Sequence, residues 1–541
     1  MRSSRRACFL TVAAQFALGV FAFAAPPQVT YLFPAGGQTG QTTNITATGT
    51  FSKWPVGAWC SRADVVVAAA KDKGKLDVQI AADAPPGIAW IRLHDEEGAA
   101  TVRPFMIGTL PELNEQEPND DPQKPQSLSI PGSVVNGQLG KTGDVDTFAL
   151  PLRKGQTLVA AFEANRTLGS PVDGVVQIVS SAGFVLSQND DDHGLDPRLA
   201  FVIPSDGTYL VRVFGFPATP SGAINLAGGE SFVYRLTITS SGFVDAAWPL
   251  AVARGQSTQV ELLGWNLPDA ARLLSLTPAD SDRAKTAWQR ESADFFMLPV
   301  VAHPSLVETP AALDQPQTVE VPATITGRIA KPGETDVYEF AARKGEKLQV
   351  EIDSRGLGFP LDATLAVVDS AGKVLGKADD NARDSRDPEL TVAIPADGQY
   401  RVQVRDLHRQ GGARYIYRLT IAPSVPDFTL RVAADNFVIP KGKPLESPVT
   451  IERANGFAGE IEIAPLFLPE GVTAPAVKSQ GKGETAKQVK LVFSAAGGPH
   501  QTPLRIAGTS STDPALVRTA AFPLPAFNSA SEDLWLTVQQ P

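Results

Sequence analysis

Cysteine is almost absent from this chain, which has two among its 541 residues. Cys8 lies in a leading segment that we expect to be removed, and Cys60 would then have no partner for an intramolecular disulfide. The residues around Cys60 lack the pattern of a cysteine protease, so we interpret it as a small buried apolar residue. The sequence therefore excludes a disulfide-stapled scaffold.

Histidine is also scarce, with five residues spread singly over the chain. None forms a His-Glu-x-x-His motif, and neither a Gly-x-Ser-x-Gly elbow nor a phosphate-binding glycine loop is present. We therefore expect a protein without enzymatic activity. A hydrolase site assembled from residues far apart in the sequence stays open as an alternative, because catalytic triads are spatial arrangements.

Long hydrophobic runs are lacking after the first 24 residues, so we expect no membrane insertion. The first 24 residues combine three arginines with an apolar run and the small-x-small sequence Ala-Phe-Ala, which predicts a secretory signal peptide at residues 1–24. The remaining chain has 45 basic and 58 acidic side chains, a formal charge of −13. Such a charge disfavours nucleic acid as a partner and favours divalent cations. We expect a secreted protein, located in the periplasm, at the cell surface or outside the cell.

The abundant features are short apolar runs separated by turn residues, with 46 glycines and 44 prolines in the chain. This pattern predicts an all-β protein, and the length requires several cores. Two blocks repeat: RKGQTL at 153–158 matches RKGEKL at 343–348, and YRLTI at 234–238 recurs unchanged at 417–421. We predict a tandem array of antiparallel β-sandwiches with domains at 27–112, 113–241, 243–303, 306–423 and 426–541.

Acidic and carboxamide side chains are concentrated in two stretches of the first repeat. The sequence EQEPNDD spans 115–121, and GDVDTF follows at 143–148. These are the hard oxygen ligands that calcium requires, although an acidic stretch of this kind is also typical of a solvated linker. The second repeat keeps Glu334 and Asp336 of the loop but lacks most of the linker ligands, so whether it binds calcium stays open. A further run, NDDDH at 189–193, we interpret as a hydrophilic turn between strands.

The joint order of these motifs resembles the bacterial pre-peptidase C-terminal domain in both repeats. The blocks before each repeat resemble, more loosely, the IPT/TIG class of immunoglobulin-like domains, and the last block is similar to the immunoglobulin-like modules of secreted bacterial proteins. The resemblance implies jelly-roll-like sandwiches that accompany secreted proteases and bind calcium and, in some members, an extracellular polymer. Carried over by position, it implies a calcium site formed by Glu115, Glu117, Asn119, Asp120, Asp144 and Asp146.

These expectations together describe a secreted, non-catalytic binding or adhesion protein that recognises an extracellular polysaccharide or protein. The alternative is an accessory or targeting subunit of a separate secreted peptidase or other hydrolase. Seven tryptophans could stack on sugars, but most lie in predicted strands, which favours a role in the cores.

Overall fold

The computed structural model describes residues 25–128, 132–219, 225–309, 315–381, 386–527 and 529–539. The predicted signal peptide lies outside these ranges. The described chain is almost entirely β-structure, which confirms the predicted fold class. Within these ranges, no helix has the length and apolar character needed to cross a membrane.

The first sandwich packs two sheets with strand orders β1-β3-β6-β5 and β2-β9-β7-β4 around a core that includes Leu32, Ile45, Leu76 and Phe105. Alternate residues of β6 are buried, as expected of a strand with one face on a core. Its strands are β1 (Gln28–Phe33), β2 (Gly36–Gln38), β3 (Thr42–Thr50), β4 (Gly57–Cys60), β5 (Val65–Ala69), β6 (Lys75–Ile80), β7 (Gly87–Asp95), β8 (Gly98–Ala99) and β9 (Arg103–Gly108).

The second sandwich holds the acidic stretches. Its elements are β10 (Glu112–Asn114), β11 (Gln126–Ser127), β12 (Gly132–Gln138), β13 (Asp146–Leu152), β14 (Thr157–Glu163), the short helix α1 (Asn165–Leu168), β15 (Val172–Ser180), β16 (Val185–Asn189), β17 (Arg198–Val202), β18 (Gly207–Pro217) and β19 (Val233–Thr239). They form two five-stranded sheets with orders β10-β12-β19-β14-β17 and β11-β13-β18-β15-β16. Pairing is antiparallel except at the short edge strands β10 and β11, which run parallel to their neighbours.

The third sandwich is the smallest, with sheets ordered β23-β22-β20-β25 and β21-β26-β24. Its elements are β20 (Gly242–Trp248), β21 (Val252–Ala253), β22 (Thr258–Trp265), a 3₁₀ turn (Asp269–Ala271), β23 (Leu273–Leu276), β24 (Ala284–Ala287), β25 (Ser292–Ala293) and β26 (Phe296–Val301).

The fourth sandwich has the same topology as the second, with sheets ordered β27-β29-β36-β31-β34 and β28-β30-β35-β32-β33. The register also agrees, since Asp146 lies opposite Val213 and Asp336 lies opposite Val404. Its elements are β27 (Ser305–Val307), β28 (Gln317–Thr318), β29 (Ala323–Arg328), β30 (Asp336–Ala342), β31 (Lys347–Asp353), a 3₁₀ turn (Arg355–Leu357), β32 (Ala363–Asp369), β33 (Val374–Ala378), β34 (Glu389–Ala393), β35 (Gly398–Asp406) and β36 (Ile416–Pro423).

The last sandwich follows from Asp427 onward, and its strands are joined by hydrogen bonds into a single 11-stranded sheet. This sheet encloses a core that includes Phe428, Leu430, Ile463 and Phe493. Its strands are β37 (Asp427–Val432), β38 (Asn436–Ile439), β39 (Leu445–Ala454), β40 (Ile461–Leu466), β41 (Val472–Thr473), β42 (Val477–Ser479), β43 (Gln488–Ala495), β44 (His500–Ser510), β45 (Val517–Leu524), β46 (Ser529–Ser531) and β47 (Leu534–Val538), with a 3₁₀ turn at Pro525–Phe527.

The first and last sandwiches lie against each other. The fully buried guanidinium of Arg92 donates to Asp435 at 3.0 Å and to the carbonyl oxygen of Asp533 at 2.8 Å. Trp59 packs edge-on against Trp535 with ring centroids 6.4 Å apart. The chain therefore does not extend as a string of independent sandwiches but returns to its beginning.

A second junction joins the middle three sandwiches through buried charges. Arg198 of the second sandwich donates to Asp245 at 2.8 Å and to Asp294 at 3.0 Å, both in the third. Arg414 of the fourth sandwich donates to the same Asp245 at 2.9 Å and also to Asp192. The run at 189–193 forms a turn between strands, as predicted. The prediction that this run is hydrophilic and solvated was wrong for its last residue, because His193 is buried at this junction.

Candidate functional site

The local fold brings the two acidic stretches of the second sandwich together. Strand β10 pairs in parallel with β12, and the pairing continues past the strand because the Glu115 amide donates to the Asn136 carbonyl at 2.9 Å. The acidic linker therefore leaves β10 beside the end of β12. The loop from β12 to β13, which carries Asp144, starts at the same place. The sequence alone could suggest this convergence, but the strand register is what produces it.

Three carboxylates meet there: one oxygen each of Glu117, Asp120 and Asp144 lies within 4.8 Å of the others. Oxygens on opposite sides of a calcium ion would be about 4.6–5.2 Å apart, because calcium–oxygen distances are about 2.3–2.6 Å. The spacing therefore fits one shared ion. It is the single group of this kind among the described residues.

The carboxylates are held in place by main-chain amides. Asp144 accepts from the Gly140 amide at 2.5 Å, Asp120 accepts from the Val145 amide at 3.3 Å, and Glu117 accepts from the Asn119 amide at 2.8 Å. The bond from Val145 to Asp120 ties the linker to the loop. These contacts orient the oxygens before any ligand binds, which lowers the entropic cost of binding.

Buried polar atoms without partners lie at the same place. Asn119 is fully buried, yet its side-chain oxygen and nitrogen have no hydrogen-bond partner among the described residues, and one oxygen of the buried Asp144 has none either. Buried polar groups nearly always have partners, since an unpaired one costs about 1–3 kcal/mol. The amide oxygen of Asn119 and this oxygen of Asp144, which lies 3.6 Å from the Lys141 ammonium without a hydrogen bond, are groups that a hard cation would satisfy.

A lysine competes for the same oxygens. The Lys141 ammonium lies 2.7 Å from Asp120 and 3.6 Å from Asp144. Its hydrogen bond to Asp120 holds the pKa of that carboxyl below its usual value, whereas burial raises the pKa of Asp144. The lysine is exposed, so it can swing away when a cation enters.

The other two predicted ligands form a separate, proton-sharing pair. The Tyr234 hydroxyl lies 2.6 Å from Asp146 and 3.0 Å from Glu115. Burial raises the pKa of Asp146 to about 9 and that of Glu115 to about 7, with each carboxyl affected by its neighbour. The Tyr234 hydroxyl has one proton and can donate to only one of the two carboxyls at a time. A proton held by one carboxyl supplies the further hydrogen bond that this cluster needs. Sequence reasoning missed Tyr234, because it is 88 positions from Asp146.

Among its described residues, which leave out 310–314, the fourth sandwich repeats the pair but not the three-carboxylate group. Tyr417 donates to Asp336 at 2.6 Å and lies 2.7 Å from the Tyr338 hydroxyl. Burial raises the pKa of Asp336 to about 8, and burial also raises the pKa of Glu308. Glu334 accepts from the Lys331 amide at 2.7 Å. Glu334 and Asp336, the two residues retained in this repeat, therefore lie at the same end of their sandwich as Asp144 and Asp146.

Comparison with known proteins identifies part of the chain. Residues 334–406 match the family described as bacterial pre-peptidase C-terminal domain, so the fourth sandwich contains one such domain. A probable subtilase-type serine protease of Deinococcus radiodurans is 31% identical over 98 residues, which is 18% of this chain and 14% of that protein. The chain thus spans a small part of that relative.

Solved structures with local similarity have low overall agreement. The pre-peptidase C-terminal domain of a Bacillus anthracis collagenase is 15% identical, with 20% of this chain and 94% of that chain covered and a TM-score of 0.16. A periplasmic inhibitor of g-type lysozyme from Salmonella Typhimurium is 21% identical, with 20% and 99% covered and a TM-score of 0.15. A Bacteroides ovatus glucan-utilisation protein, SGBP-B, is 11% identical, with 70% and 74% covered and a TM-score of 0.15. At these scores the likenesses carry no argument about function.

Proposed function

We propose that this chain is a secreted, non-catalytic binding protein in which calcium fixes the acidic linker onto the second sandwich. The observation that carries the proposal is the meeting of Glu117, Asp120 and Asp144 within 4.8 Å beside the unpartnered amide of Asn119. Calcium takes about six to eight oxygen ligands from carboxylates, amide carbonyls and water, and these residues supply both the carboxylate and the amide kind.

The pair Glu115 and Asp146 interacts electrostatically with the proposed calcium ligands. In addition to burial, the charge of Glu117 acts on Glu115 and that of Asp144 acts on Asp146, in each case raising the pKa. Glu115 also accepts from the Gln138 amide at 2.7 Å. A cation nearby would stabilise their ionised forms and lower their raised pKa values. We therefore retain all six predicted residues in the site, with Glu117, Asn119, Asp120 and Asp144 nearest the ion and Glu115 and Asp146 next to them.

The second sandwich is proposed to be another copy of the pre-peptidase C-terminal domain. Its ten strands follow the same order as those of the fourth sandwich, in which the family match lies. The first and third sandwiches are proposed to be immunoglobulin-like domains of the IPT/TIG type. The signal-like residues 1–24 support export, and the proposed ligand is an extracellular polysaccharide or an envelope protein.

Calcium titration of the secreted protein tests the site. Isothermal titration calorimetry should detect one calcium ion per chain in the unmodified protein and none after Asp120→Ala plus Asp144→Ala. The control is Asp379→Ala plus Asp380→Ala, which removes the same charge from an exposed turn of the fourth sandwich and should leave binding unchanged. Absence of calcium binding by the unmodified protein at millimolar concentration would refute the site.

A second candidate function is that of an accessory or targeting subunit for a separate secreted hydrolase. The family description and the name of the Deinococcus radiodurans relative both refer to peptidases, which favours it. Purification of the protein from the medium of the producing cell should then recover a hydrolase in a fixed ratio. Turnover of a peptide or glycan by the purified protein alone would contradict both functions.

A further inference from the structure

Both sheets of the second sandwich end at one open edge, which is formed by the edge strands β16 and β17. Four exposed apolar side chains lie along this edge: Phe184, Val185, Leu186 and Val202, with Phe184 71% and Val202 61% exposed. Phe184 directly precedes β16, and Val202 is the last residue of β17. A concentration of exposed apolar side chains is typical of an interaction surface.

The residues that flank the two gaps of this sandwich lie away from the open edge. Leu128 follows β11 and Gly132 begins β12, both toward the opposite edge of the sheets. Pro217 ends β18 before the other gap and pairs with Val172, at the end of β15 that is remote from Phe184. The exposure of the open edge is therefore a property of the described residues.

The fourth sandwich has the equivalent strand but a different sequence on it. Residues 181–189 read SAGFVLSQN, whereas residues 370–378 read SAGKVLGKA. The strand registers establish the equivalence, since Asn189 and Ala378 end β16 and β33 opposite matching residues of β15 and β32. The first stretch has no charged residue, and the second has two lysines.

These lysines distinguish a protected edge from an unprotected one. Lys373 and Lys377 stand where the second sandwich has Phe184 and Gln188. Natural edge strands frequently carry lysine, because a charge there disfavours the addition of another strand. In β16 an aromatic ring and a neutral amide replace both charges, so the main-chain groups along its outer side are open to pairing with a further strand.

Negative charge is concentrated at the other end of β16. Asp190 and Asp191 follow the strand and are exposed. Burial, and then the charges of Asp191 and Asp190, raise the pKa of the neighbouring Asp173. No cationic side chain in the described ranges offsets this repulsion. A cation supplied by a partner would reduce it, so the charge at this end favours a basic partner.

The pattern of β16 does not fit a second copy of this chain. Antiparallel pairing of β16 with itself about Ser187, its central residue, would place Val185 opposite Asn189 and Phe184 opposite Asp190. An aromatic ring would then face a carboxylate. In parallel pairing the acidic ends of both copies would lie side by side, which is unfavourable. A different chain that is apolar at one end and basic at the other fits both ends of β16.

We propose that β16 binds an extended segment of another protein, which adds a strand to the sheet with an apolar side chain against Phe184 and a basic one beside Asp190. Main-chain hydrogen bonds supply the affinity of such an added strand, and its side chains supply the specificity. Val202 widens the apolar end. This inference rests on the proposed function, because it names the form in which an envelope protein would be recognised, but it does not require calcium.

Fluorescence anisotropy with short labelled peptides tests the inference on the whole secreted protein. The peptides alternate valine with threonine and carry two lysines at the amino end or at the carboxyl end, since a strand can pair in either direction. At least one should bind at concentrations up to roughly 1 mM. The same peptides with glutamates in place of the lysines should bind about tenfold or more weakly, because the charges then repel Asp190 and Asp191.

The double variant Phe184→Lys plus Gln188→Lys gives β16 the charges of the fourth sandwich. It should bind the lysine peptides about tenfold or more weakly, because a charged edge disfavours an added strand. Val374→Lys plus Gln399→Lys adds the same charge at exposed positions of the fourth sandwich, and this matched control should leave binding unchanged. In the unmodified protein, saturation with peptide should slow hydrogen exchange in β16 and not in β33. That measurement does not depend on the folding of any variant.

The outcomes separate this inference from the calcium site. Calcium binding by a protein that binds none of the lysine peptides would overturn the strand-addition site and leave the proposed function standing. Equal peptide binding by the unmodified protein and by the folded double variant would refute it by placing the peptide elsewhere. Equal binding of the glutamate peptides would contradict the charge argument. A dimer that forms on concentration, without peptide binding, and is lost in the double variant would show that the occupant is a second copy.

Discussion

Asp336 should make the fourth sandwich less stable as the pH rises. Its carboxyl is 6% exposed, and burial raises its pKa to about 8, with the neighbouring Glu308 adding to the shift. The pKa in the unfolded chain is about 3.9. Between about pH 4 and pH 8 the folded state therefore holds a proton that the unfolded state has released. The free energy of unfolding is greatest below this window and falls through it, by at most about 1.4 kcal/mol per pH unit.

Replacement of Asp336 by asparagine should remove this dependence. An asparagine cannot ionise, and its side-chain oxygen can still accept from Tyr417, which now donates to Asp336 at 2.6 Å. From pH 5 to pH 8 the unmodified sandwich should lose up to about 4 kcal/mol relative to Asp336→Asn. That figure is an upper limit for the Asp336–Glu308 pair as a unit, because coupled carboxyls titrate together.

Hydrogen exchange in β30 and β36 reports on the fourth sandwich separately from the other four. It should be measured at pH 5, 6.5 and 8, with exchange rates corrected for the intrinsic effect of pH. Asp379→Asn, at an exposed position of the same sandwich, is the control and should keep the slope of the unmodified protein. The same slope in Asp336→Asn as in the unmodified protein would refute the linkage.

Three further predictions concern the second sandwich. With a dissociation constant of about 0.1–1 mM, 10 mM calcium should stabilise it by about 1.4–2.7 kcal/mol, measured as a higher melting midpoint than in chelator; no change would count against the site. Lys141→Gln should tighten calcium binding several-fold in calorimetry, because it removes the cation that pairs with Asp120, and weaker binding would show that the lysine supports the site. Arg198→Met should cost about 3–5 kcal/mol of stability in urea unfolding, because it removes the cation from the buried Asp245 and the half-buried Asp294. The exposed Arg153→Met should cost little, and equal effects would show that the junction is not a stabilising element.

The repeated motifs were predictable from the sequence because they contact each other. The Lys154 amide donates to Asp206 at 2.7 Å, and the Lys344 amide donates to Asp397 at 2.7 Å. Tyr209, three residues after Asp206, donates to a carbonyl four positions before it at 2.7 Å, as its counterpart in the fourth sandwich also does. These are turn contacts between neighbouring strands, so their geometry requires the same residues in both repeats and leaves a visible sequence signature.

The junctions between sandwiches left no such signature. Asp192 belongs to an acidic run that is typical of a solvated turn, but its partner Arg414 is 222 positions away. A sequence pattern reports whether a side chain suits a strand or a turn, not which distant surface will cover it. The arrangement of the sandwiches, and with it the burial of Arg198, could therefore not be predicted.

Comparison of the two repeats distinguishes the residues that anchor the linker from the residues that would bind calcium. Glu115 and Glu308 each accept from a main-chain amide at the end of the following strand, at 2.7 and 2.9 Å. Glu115 interacts with Asp146 and Glu308 with Asp336, and each of these aspartic acids accepts from a tyrosine. Because this arrangement occurs in both repeats, and the described linker residues of the fourth sandwich include no counterpart of Glu117 or Asp120, it does not depend on those two acids. Calcium should therefore order the linker beyond Glu115, while the segment before it stays paired with β12 through its main-chain bonds. Loss of calcium would therefore make the linker after Glu115 more mobile, while the part before Glu115 would stay attached to the second sandwich.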